Sequence, residues 1–420
     1  MIGKSATAAV DVVVVGAGQA GLAVSHGLSA AGVDHRILER GRVAQTWRGR
    51  WESFSLVTPN WTLRLPGMAY SGDEPEGYLD KAGIIALLEA YASTMRAPVE
   101  EGVAVERLHR GPAGFTLETT AGSVSASAVV VCTGSYTLPH RPASAALGPG
   151  VRVMDAGEYR SPDDVGPGRV LVVGSGQTGC QLAEELALAG RDVVLSCGRA
   201  PWIPRRLGDR DTITWLARTS FFDTPLTALP GPTARLVSNP QATGRDGGHD
   251  LHFRTLQDLG VALAGRLHDV DGHRVSFADD LEASVAFGDA RYGEIRALLA
   301  SQLPPQGVEV PPMPDPQPFR APRLESVPLK ELAAVIFTSG FRPDYARWID
   351  FPVFDEIGFP VTIDGATLVA GLFFCGVHFM RTRQSGILMG VGADAALVAG
   401  AVSDHVHASG RSTGKASGPS

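Results

Sequence analysis

The chain has 420 residues, which is too many for one small hydrophobic core and fits two or three domains. Apolar residues make up 44% of the sequence and charged residues 19%, as in ordinary globular proteins, and the formal net charge of −7 argues against binding to nucleic acid or anionic membranes. Because we find neither a secretory signal nor an apolar run long enough to span a bilayer, we expect a cytoplasmic protein with no nucleic-acid and no membrane partner.

A run of valines followed by a glycine-rich turn stands close to the start of the sequence. Residues 12–15 are all valine, which predicts a buried parallel strand with two apolar faces. Gly16 would permit a tight turn, Gly18 a close approach to a pyrophosphate, and Gly21 the packing of the next helix against the strand. The N–H groups that begin this helix would face the phosphates. The stretch therefore predicts a dinucleotide site.

An acidic residue ends the next predicted strand, at residues 35–39. Glu39 follows the glycine turn at about the distance at which an acid binds the hydroxyl groups of a ribose. Because a carboxylate repels a 2′-phosphate, Glu39 favours FAD or NAD at this first site. The competing interpretation, a glycine turn in some unrelated α/β protein, does not account for strand, helix and acid together.

An aromatic and polar loop follows at residues 45–61, in the position after a parallel strand where ligands usually bind. Its tryptophans are Trp47, Trp51 and Trp61. They could pack in the core of the domain or line the binding site of a flat aromatic cofactor, and the sequence favours neither interpretation. We then expect the following elements: an amphipathic helix at 84–95, a strand-rich section with turns at 111–112 and 121–122, and a buried strand at 128–134 that joins the first sheet.

The opening pattern recurs in the middle of the chain. An apolar strand at residues 170–173 runs into Gly174, Gly176 and Gly179, and a helical pattern follows. The repeat of strand, glycine turn and helix predicts a second dinucleotide site on a second parallel sheet.

The second unit differs from the first at the end of its second strand. Ser196 stands where the first unit has an acid, and Arg199 follows within a few residues. Removing the acid and supplying a guanidinium is how such a site accepts a 2′-phosphate, so the second nucleotide is predicted to be NADPH. Arg205 and Arg206 fit phosphate binding and an exposed surface cluster equally well.

The pattern becomes less regular after about residue 220. The remaining predicted elements are strands at 261–263 and 274–277 around a turn at 271–272, a helix at 281–303, an extended Pro-rich loop at 304–322, buried strands at 334–340 and 371–376, and a final helix from near Ser385 to about 406. The two ends, residues 1–9 and 408–420, are rich in small residues and are predicted to be mobile.

The cysteines do not form a recognisable metal or disulfide pattern. None of Cys132, Cys180, Cys197 and Cys375 belongs to a Cys-x-x-Cys pair. We therefore predict no metal site and expect buried, inert thiols, because three of the four lie in or beside apolar strand runs.

Two dinucleotide motifs about one domain apart resemble those of the two-dinucleotide-binding-domain flavoproteins. Within that group the chain resembles the class B flavin-dependent monooxygenases, above all their bacterial CzcO-like branch and then the plant YUCCA enzymes. The resemblance covers residues 10–406. Beyond the glycine turns it rests on these stretches: 46–48 (Thr-Trp-Arg), 56–59 (Leu-Val-Thr-Pro), 133–134 (Thr-Gly), 338–344 (Thr-Ser-Gly-Phe-Arg-Pro-Asp) and 381–386 (Arg-Thr-Arg-Gln-Ser-Gly).

The resemblance implies an α/β fold with two Rossmann-like domains, the NADPH domain being inserted in the FAD domain. The implied segments are 1–165 for the first part of the FAD domain, 166–332 for the NADPH domain with its Pro-rich insertion, 333–407 for the second part of the FAD domain, and 408–420 for a flexible tail. A helix that begins near Ser385 would stabilise negative charge on the flavin ring.

The implied cofactor-binding residues fall into two sets. For FAD they are Gly16, Gly18, Gln19, Gly21, Glu39, Arg40, Gln45, Thr46, Trp47, Thr58, Thr133, Gly134, Gly376, Ser385, Gly386 and Leu388. For NADPH they are Gly174, Ser175, Gly176, Gln177, Thr178, Gly179, Ser196 and Arg199, and Ser339 and Gly340 are implied as further cofactor-binding residues. Asn60 is the candidate catalytic residue, although capping of the turn beside Pro59 explains it as well.

The implied reaction is that of a monooxygenase. NADPH reduces the flavin, O2 gives a flavin C4a-hydroperoxide, and one oxygen atom passes to a small-molecule substrate, so that substrate and O2 are the expected partners. A homodimer is left open. An NADPH oxidase or quinone-type reductase without oxygen transfer, and a non-catalytic flavin-binding redox module, remain alternatives. A disulfide reductase is disfavoured because it needs a cysteine pair near the flavin.

One segment departs from the family pattern. These monooxygenases carry Phe-x-Gly-x-x-x-His followed by a later Tyr or Trp between the nucleotide domains. In this chain Asp155 stands at the histidine position, and Tyr159 fits the final aromatic position. The effect of the missing histidine on NADPH handling is left open.

Overall fold

The computed structural model describes residues 10–111, 114–142, 147, 150–237 and 239–413. The strands are β1 (Val10–Val15), β2 (His35–Glu39), β3 (Arg64–Leu65), β4 (Met68–Ala69), β5 (Val99–Glu101), β6 (Val105–Gly111), β7 (Gly114–Thr119), β8 (Gly122–Val131), β9 (Leu138–Pro139), β10 (Arg152–Asp155), β11 (Arg169–Val173), β12 (Asp192–Ser196), β13 (Arg206–Leu207), β14 (Arg210–Asp211), β15 (Ala262–Ala264), β16 (Leu267–Val270), β17 (Arg274–Phe277), β18 (Ser326–Pro328), β19 (Leu332–Phe337), β20 (Phe341–Arg342) and β21 (Leu372–Phe374). The α-helices are α1 (Gln19–Ala30), α2 (Gln45–Arg48), α3 (Lys81–Thr94), α4 (Gln177–Leu188), α5 (Thr212–Leu216), α6 (Phe253–Asp258), α7 (Leu281–Gln302) and α8 (Val391–Thr413).

The larger sheet has seven strands, in the order β5-β2-β1-β8-β7-β6, and β21 also pairs with β8. Its central strand β1 runs parallel to both neighbours, with Val14 opposite Ile37 of β2 and Val130 of β8. Val12 and Val13 are fully buried on opposite faces, which confirms the prediction of a strand with two apolar faces. Helices α1 and α8 pack together beside this sheet.

The smaller sheet has five parallel strands, in the order β10-β19-β11-β12-β15. Its central strand β11 has Val172 opposite Leu195 of β12 and Ile336 of β19. The succession β11, α4, β12 repeats the succession β1, α1, β2, which confirms the predicted recurrence of the first unit.

The chain passes between the two sheets twice. It leaves the larger sheet after β8 through β9 to reach β10, and it leaves the smaller sheet after β19 through β20 to return to β21. Strands β9 and β20 pair antiparallel, with Leu138 opposite Arg342 and Pro139 opposite Phe341. The two crossings therefore lie side by side.

One prediction about strand pairing is wrong, and the domain ranges stay a prediction. Strands β10 and β19, which fall within the ranges 1–165 and 333–407 predicted for the FAD domain, pair in the smaller sheet. An apolar strand that ends in glycine looks alike in both sheets, because the local pattern does not encode which strand it pairs with. The turn at 271–272 joins β16 to β17, whereas β15 extends the smaller sheet beside β12.

The last helix begins later than predicted. Helix α8 begins at Val391, and residues 383–390 before it form turns, in which the Ser385 hydroxyl oxygen accepts the N–H groups of Arg381 and Thr382 at 3.0 Å each. The helix runs to Thr413, so residues 408–413 of the predicted tail are helical. The rest of that tail and the predicted mobile start lie outside the described residues. In the part of the chain that is described, no helix has both the length and the apolarity to cross a bilayer.

Arg205 forms a buried ion pair rather than part of a surface cluster. Its Nη2 lies 2.5 Å from Oδ1 of Asp211, and the two side chains are 2% and 0% exposed. Arg205 also donates to the carbonyl oxygen of Val57 at 2.9 Å, and the hydroxyl of Tyr78 donates to the second Asp211 oxygen. The pair thereby ties the aromatic loop after β2 to β14.

We expect Asp211→Ala to lower the free energy of unfolding by about 3–5 kcal/mol, because it leaves a buried guanidinium without a counter-ion. Replacing both partners, as in Arg205→Met with Asp211→Leu, should recover part of that loss. Urea unfolding followed by tryptophan fluorescence measures both effects. Asp350→Ala, which removes an exposed partner of Arg107, should cost less than about 1 kcal/mol. An equally small loss for Asp211→Ala would contradict a structural role of the buried pair.

Candidate functional site

A cavity of about 970 Å³ lies between the two sheets. Segments that follow the carboxyl ends of parallel strands supply most of its wall, which is where α/β folds bind ligands. From the larger sheet's side the wall includes Trp47, Arg50, Trp51, Phe54, Leu56, Val57, Ser135, Tyr136 and His378. From the smaller sheet's side it includes Gly174, Ser175, Gly176, Gln177, Thr178, Ser196, Arg199, Ser339, Gly340 and Arg342.

The first glycine turn has the shape of a phosphate cradle. Gly16 has a φ of +104°, which favours glycine, and a Cβ on Gly21 would lie 1.9 Å from the carbonyl oxygen of Gly16. Gly18 caps α1 without any side-chain hydrogen bond, and a Cβ there would meet no atom within 4 Å. The first turn of α1 therefore offers uncapped N–H groups to open space, which fits a pyrophosphate.

Glu39 is held at the end of β2 by backbone donors. The N–H of Ala17 lies 2.8 Å from its Oε2 and the N–H of Gly41 lies 2.9 Å from its Oε1. Each carboxylate oxygen can accept a second hydrogen bond, so the side chain still fits a ribose hydroxyl group. Its position beside the glycine turn is the one expected from the sequence.

Three predicted residues from distant parts of the chain meet at the start of α1. The indole N–H of Trp47 donates to the amide oxygen of Gln19 at 3.1 Å, and the amide nitrogen of Gln19 donates to the carbonyl oxygen of Gly386 at 3.4 Å. A Cβ on Gly376 would lie 2.4 Å from that of Ala20, so the segment after β21 packs directly on α1.

The second glycine turn repeats the construction of the first. Gly174 has a φ of +108°, and a Cβ on Gly179 would lie 1.9 Å from the carbonyl oxygen of Gly174. Thr338 donates to that same oxygen at 2.7 Å, and Ser339 donates to Val173 at 3.1 Å, so the segment after β19 braces the turn. Helix α4, like α1, has no side-chain cap at its first residue and fits a second phosphate group.

Ser196 and Arg199 differ in how free their side chains are. The hydroxyl of Ser196 is 2% exposed and donates to the carbonyl oxygen of Gly265 at 3.1 Å. Arg199 is exposed in the cavity wall and has no hydrogen bond or ion pair with any residue that the structure describes. The Arg199 guanidinium is therefore free for an anionic ligand. The hydroxyl of Ser196 is already used by Gly265, so the main effect of this serine is that no carboxylate stands at its position.

Asn60 lies outside the cavity wall and is 2% exposed. Its amide nitrogen donates to the carbonyl oxygen of Glu74 at 2.9 Å, and its amide oxygen accepts the N–H of Leu79 at 2.7 Å. These contacts fix the 74–79 loop, and they engage both the amide nitrogen and the amide oxygen of Asn60. The catalytic role of Asn60 stays a prediction.

The structure divides the predicted cofactor residues into two groups. Of these residues, Trp47, Gly174, Ser175, Gly176, Gln177, Thr178, Ser196, Arg199, Ser339 and Gly340 line the cavity. Gly16, Gly18, Gln19, Gly21, Glu39, Arg40, Gln45, Thr46, Thr58, Thr133, Gly134, Gly179, Gly376, Ser385, Gly386 and Leu388 do not. Most of the second group belongs to segments that follow β1, β2, β8 and β21 of the larger sheet.

An ion pair holds the segment that departs from the family pattern. Both nitrogens of an Arg141 fork lie 2.8 Å from the two carboxylate oxygens of Asp155. Tyr159 is fully buried, and its pKa is raised by burial and by the nearby Glu185 carboxylate. Asp155 therefore serves as the anchor of the crossing segment that contains Arg141.

Comparison with known proteins is consistent with this architecture. The family model described as pyridine nucleotide-disulphide oxidoreductase matches residues 13–216. A flavin-containing monooxygenase from Stenotrophomonas maltophilia has the same fold, with a TM-score of 0.66 at 18% identity over 95% of this chain and 99% of that one. An uncharacterised CzcO-like oxidoreductase of Geobacillus kaustophilus is 30% identical over 400 residues, which are 94% of this chain and 99% of the relative.

The chain belongs to the class B flavin-dependent monooxygenase family. An indole-3-pyruvate monooxygenase, YUCCA1 of rice, is also similar, with 32% identity over 305 residues that cover 64% of this chain and 73% of the plant protein. As a class B family member, the chain is a flavin-dependent oxidoreductase with FAD and NADPH as its cofactors.

The cysteines of this class B family member lie outside the described cavity wall. All four are buried, and none of the residues that line the cavity is a cysteine. Cys132 and Cys375 follow the adjacent strands β8 and β21, and burial beside Cys375 raises the pKa of the Cys132 thiol. A thiol that stays protonated is a poor nucleophile, which agrees with the expected inert role.

Sequence reasoning missed several wall residues, among them Arg50, Tyr136 and His378. Tyr136 and His378 each lie two residues after a glycine that ends a strand of the larger sheet, and their rings are 5.8 Å apart. The strand-and-glycine signal that marked Gly134 and Gly376 could therefore have identified them. Burial and two nearby arginines lower the pKa of His378 to about 4, so the imidazole is neutral at pH 7.

We expect Gly18→Ala to lower flavin binding and Gly21→Ala to lower the stability of the protein. A methyl group at Gly18 meets open space and should leave thermal stability unchanged while it obstructs the pyrophosphate and lowers the flavin content. A methyl group at Gly21 clashes with Gly16 and should cost about 1–3 kcal/mol of stability. Thermal unfolding of the apoprotein and the FAD bound per chain measure the two effects. Full flavin occupancy in Gly18→Ala would contradict the assignment of the first turn.

Proposed function

We propose that this enzyme uses NADPH and O2 to transfer one oxygen atom to a small-molecule substrate in the cavity between the sheets. The observation that carries the proposal is one cavity that the second glycine turn borders on one side and loops after β2, β8 and β21 of the larger sheet border on the other, with no cysteine among its described wall residues. Balanced for atoms and electrons, substrate, O2, NADPH and H⁺ give the oxygenated substrate, NADP⁺ and H2O.

We propose two domains whose boundaries are the paired crossings β9 and β20, rather than residues 165 and 333. The FAD domain would comprise the larger sheet with β21 and α8, and the NADPH domain, inserted between the crossings, would comprise the smaller sheet. The two separate parallel sheets and their connection only through adjacent crossings, within the described residues, support this division.

Each glycine turn would hold one nucleotide. The uncapped start of α1 and Glu39 suit the pyrophosphate and ribose of FAD, and the uncapped start of α4 with Arg199 suits the pyrophosphate and 2′-phosphate of NADPH. Bound FAD would supply the redox chemistry between NADPH and O2.

The protein's own part is to bind, orient and exclude water. Trp51, Phe54 and Leu56 form an apolar section of the wall beside Trp47, and they are 3–8% exposed. Apolar walls of this kind limit the water that would divert O2 reduction to H2O2. The neutral imidazole of His378 and the hydroxyl of Ser135 add hydrogen-bonding groups to the same wall.

Arg199→Ala should discriminate between the nicotinamide cofactors. Loss of a charge-assisted contact to the 2′-phosphate costs about 1.5–3 kcal/mol, so we expect KM for NADPH to rise about ten- to hundredfold while KM for NADH changes little. Anaerobic flavin reduction by each nucleotide gives the values. The control is Arg210→Ala, which removes an exposed arginine outside the cavity wall. Equal use of NADPH and NADH by the wild type would refute the assignment.

Oxygen transfer itself is tested by stoichiometry. With thioanisole as a soft-heteroatom probe, we expect one NADPH and one O2 consumed per sulfoxide formed, with little H2O2. An oxygen electrode, NADPH absorbance and chromatography of the sulfoxide give the three quantities. NADPH consumption that ends entirely in H2O2 with every sulfide, amine or ketone offered would favour an oxidase, and no flavin reduction by NADPH would favour a non-catalytic module.

A further inference from the structure

The charge of the cavity wall is unbalanced. Five arginines line it, Arg50, Arg199, Arg235, Arg266 and Arg342, and none of the wall residues that the structure describes is Asp or Glu. A low-dielectric cavity with several cations and no acid attracts anions. The nucleotide phosphates proposed above would balance part of this charge.

Three of the five arginines have a partner or lie on the nucleotide side. Arg266 pairs with Asp280 at 2.5 Å, and Arg235 lies 3.5 Å from Asp355. Arg199 is exposed just after β12, where the 2′-phosphate of NADPH is proposed to bind.

Arg342 also belongs to the nucleotide side. It follows Gly340 in the segment that braces the second glycine turn, and its Nη1 donates to the carbonyl oxygen of Phe341 at 3.0 Å. After these four assignments, Arg50 is the remaining cation of the wall.

Arg50 stands on the opposite side, among aromatic residues of the loop after β2. Its guanidinium lies 5.7 Å from the ring centre of Phe54, and Trp47 and Trp51 are its neighbours in the wall. In the described part of the chain its side chain has no ion pair, and its buried Nε has no hydrogen-bond partner. Burial lowers the pKa of Arg50, as expected for a cation that lacks an anion.

We propose that Arg50 binds the anionic group of the substrate, and that the substrate class is small organic carboxylates with an apolar or aromatic body. A guanidinium can hold a carboxylate through two parallel hydrogen bonds, and the neighbouring tryptophan and phenylalanine rings suit an apolar body. This inference rests on the proposed function, because it assigns the substrate end of the same cavity.

A matched pair of probes tests the proposal without requiring turnover. The probes p-methylthiobenzoate and p-methylthiobenzamide share one apolar body and differ in charge. They are titrated into the oxidised, FAD-loaded enzyme with saturating NADP⁺, and the change in flavin absorbance gives each Kd. We expect the wild type to bind the carboxylate about ten- to hundredfold more tightly than the amide, the range of a charge-assisted contact.

The variant Arg50→Gln should remove this preference, and Arg50→Lys should retain part of it. Because no ion pair or side-chain hydrogen bond holds Arg50 within the described residues, Arg50→Gln should leave the thermal stability and KM for NADPH unchanged, which a structural role would not. Arg64→Gln is the matched control, since Arg64 is an exposed arginine of the same region outside the cavity wall.

Equal affinity for the two probes, binding of neither, or displacement of the carboxylate by NADP⁺ would overturn the proposal. A protein that holds no FAD or is not reduced by NADPH would instead refute the proposed function. The two failures are therefore distinguishable in one set of measurements.

Discussion

The close contact between helix and turn in each glycine motif is the constraint on which the rest of the site depends. Gly21 and Gly179 bring α1 and α4 so near to the preceding turns that an added Cβ would overlap a carbonyl oxygen. This contact fixes where each helix begins relative to its strand. The helix N-terminus, with its unpaired N–H groups and positive dipole end, is thereby aimed beyond the carboxyl edge of the sheet in both halves of the molecule.

The second constraint is that both edges border one cavity. Strands β9 and β20 pair where the chain changes sheets, and the bidentate contact between Arg141 and Asp155 anchors the first crossing to the end of β10. The buried pair of Arg205 and Asp211 holds the aromatic loop from the other side. Together these polar contacts position an apolar wall opposite the second glycine turn.

Patterns of residues adjacent in sequence correctly predicted the strands, turns and helices that depend only on neighbouring residues. The valines of β1 and β11, the glycine turns and helices α1 and α4 follow from residues adjacent in sequence, and all were found in place. The sheet to which β10 and β19 belong could not be predicted, because strand pairing depends on partners far away in the chain. The start of α8 was misplaced because residues 383–390 form turns, in which the Ser385 hydroxyl oxygen accepts the backbone N–H groups of Arg381 and Thr382.

Only part of the candidate site could be predicted, because some of its residues lie on segments without a recognisable sequence pattern. Residues on the glycine turns were identified, since their spacing carries the chemistry, whereas Arg50, Tyr136 and His378 lie on loops without a periodic pattern. Within the described residues, neither the Arg50 nor the Arg199 side chain forms an ion pair with a carboxylate, and this is a property of the folded molecule. It depends on which carboxylates lie nearby, and sequence spacing does not contain that information.

We propose that the two glycine turns hold two different nucleotides, and a crystal structure of the enzyme with FAD and NADP⁺ tests this most directly. The account predicts the FAD pyrophosphate at the start of α1 beside Gly18, its ribose at Glu39, and the 2′-phosphate of NADP⁺ at Arg199. FAD bound at the start of α4, or NADP⁺ bound without contact to Arg199, would contradict it.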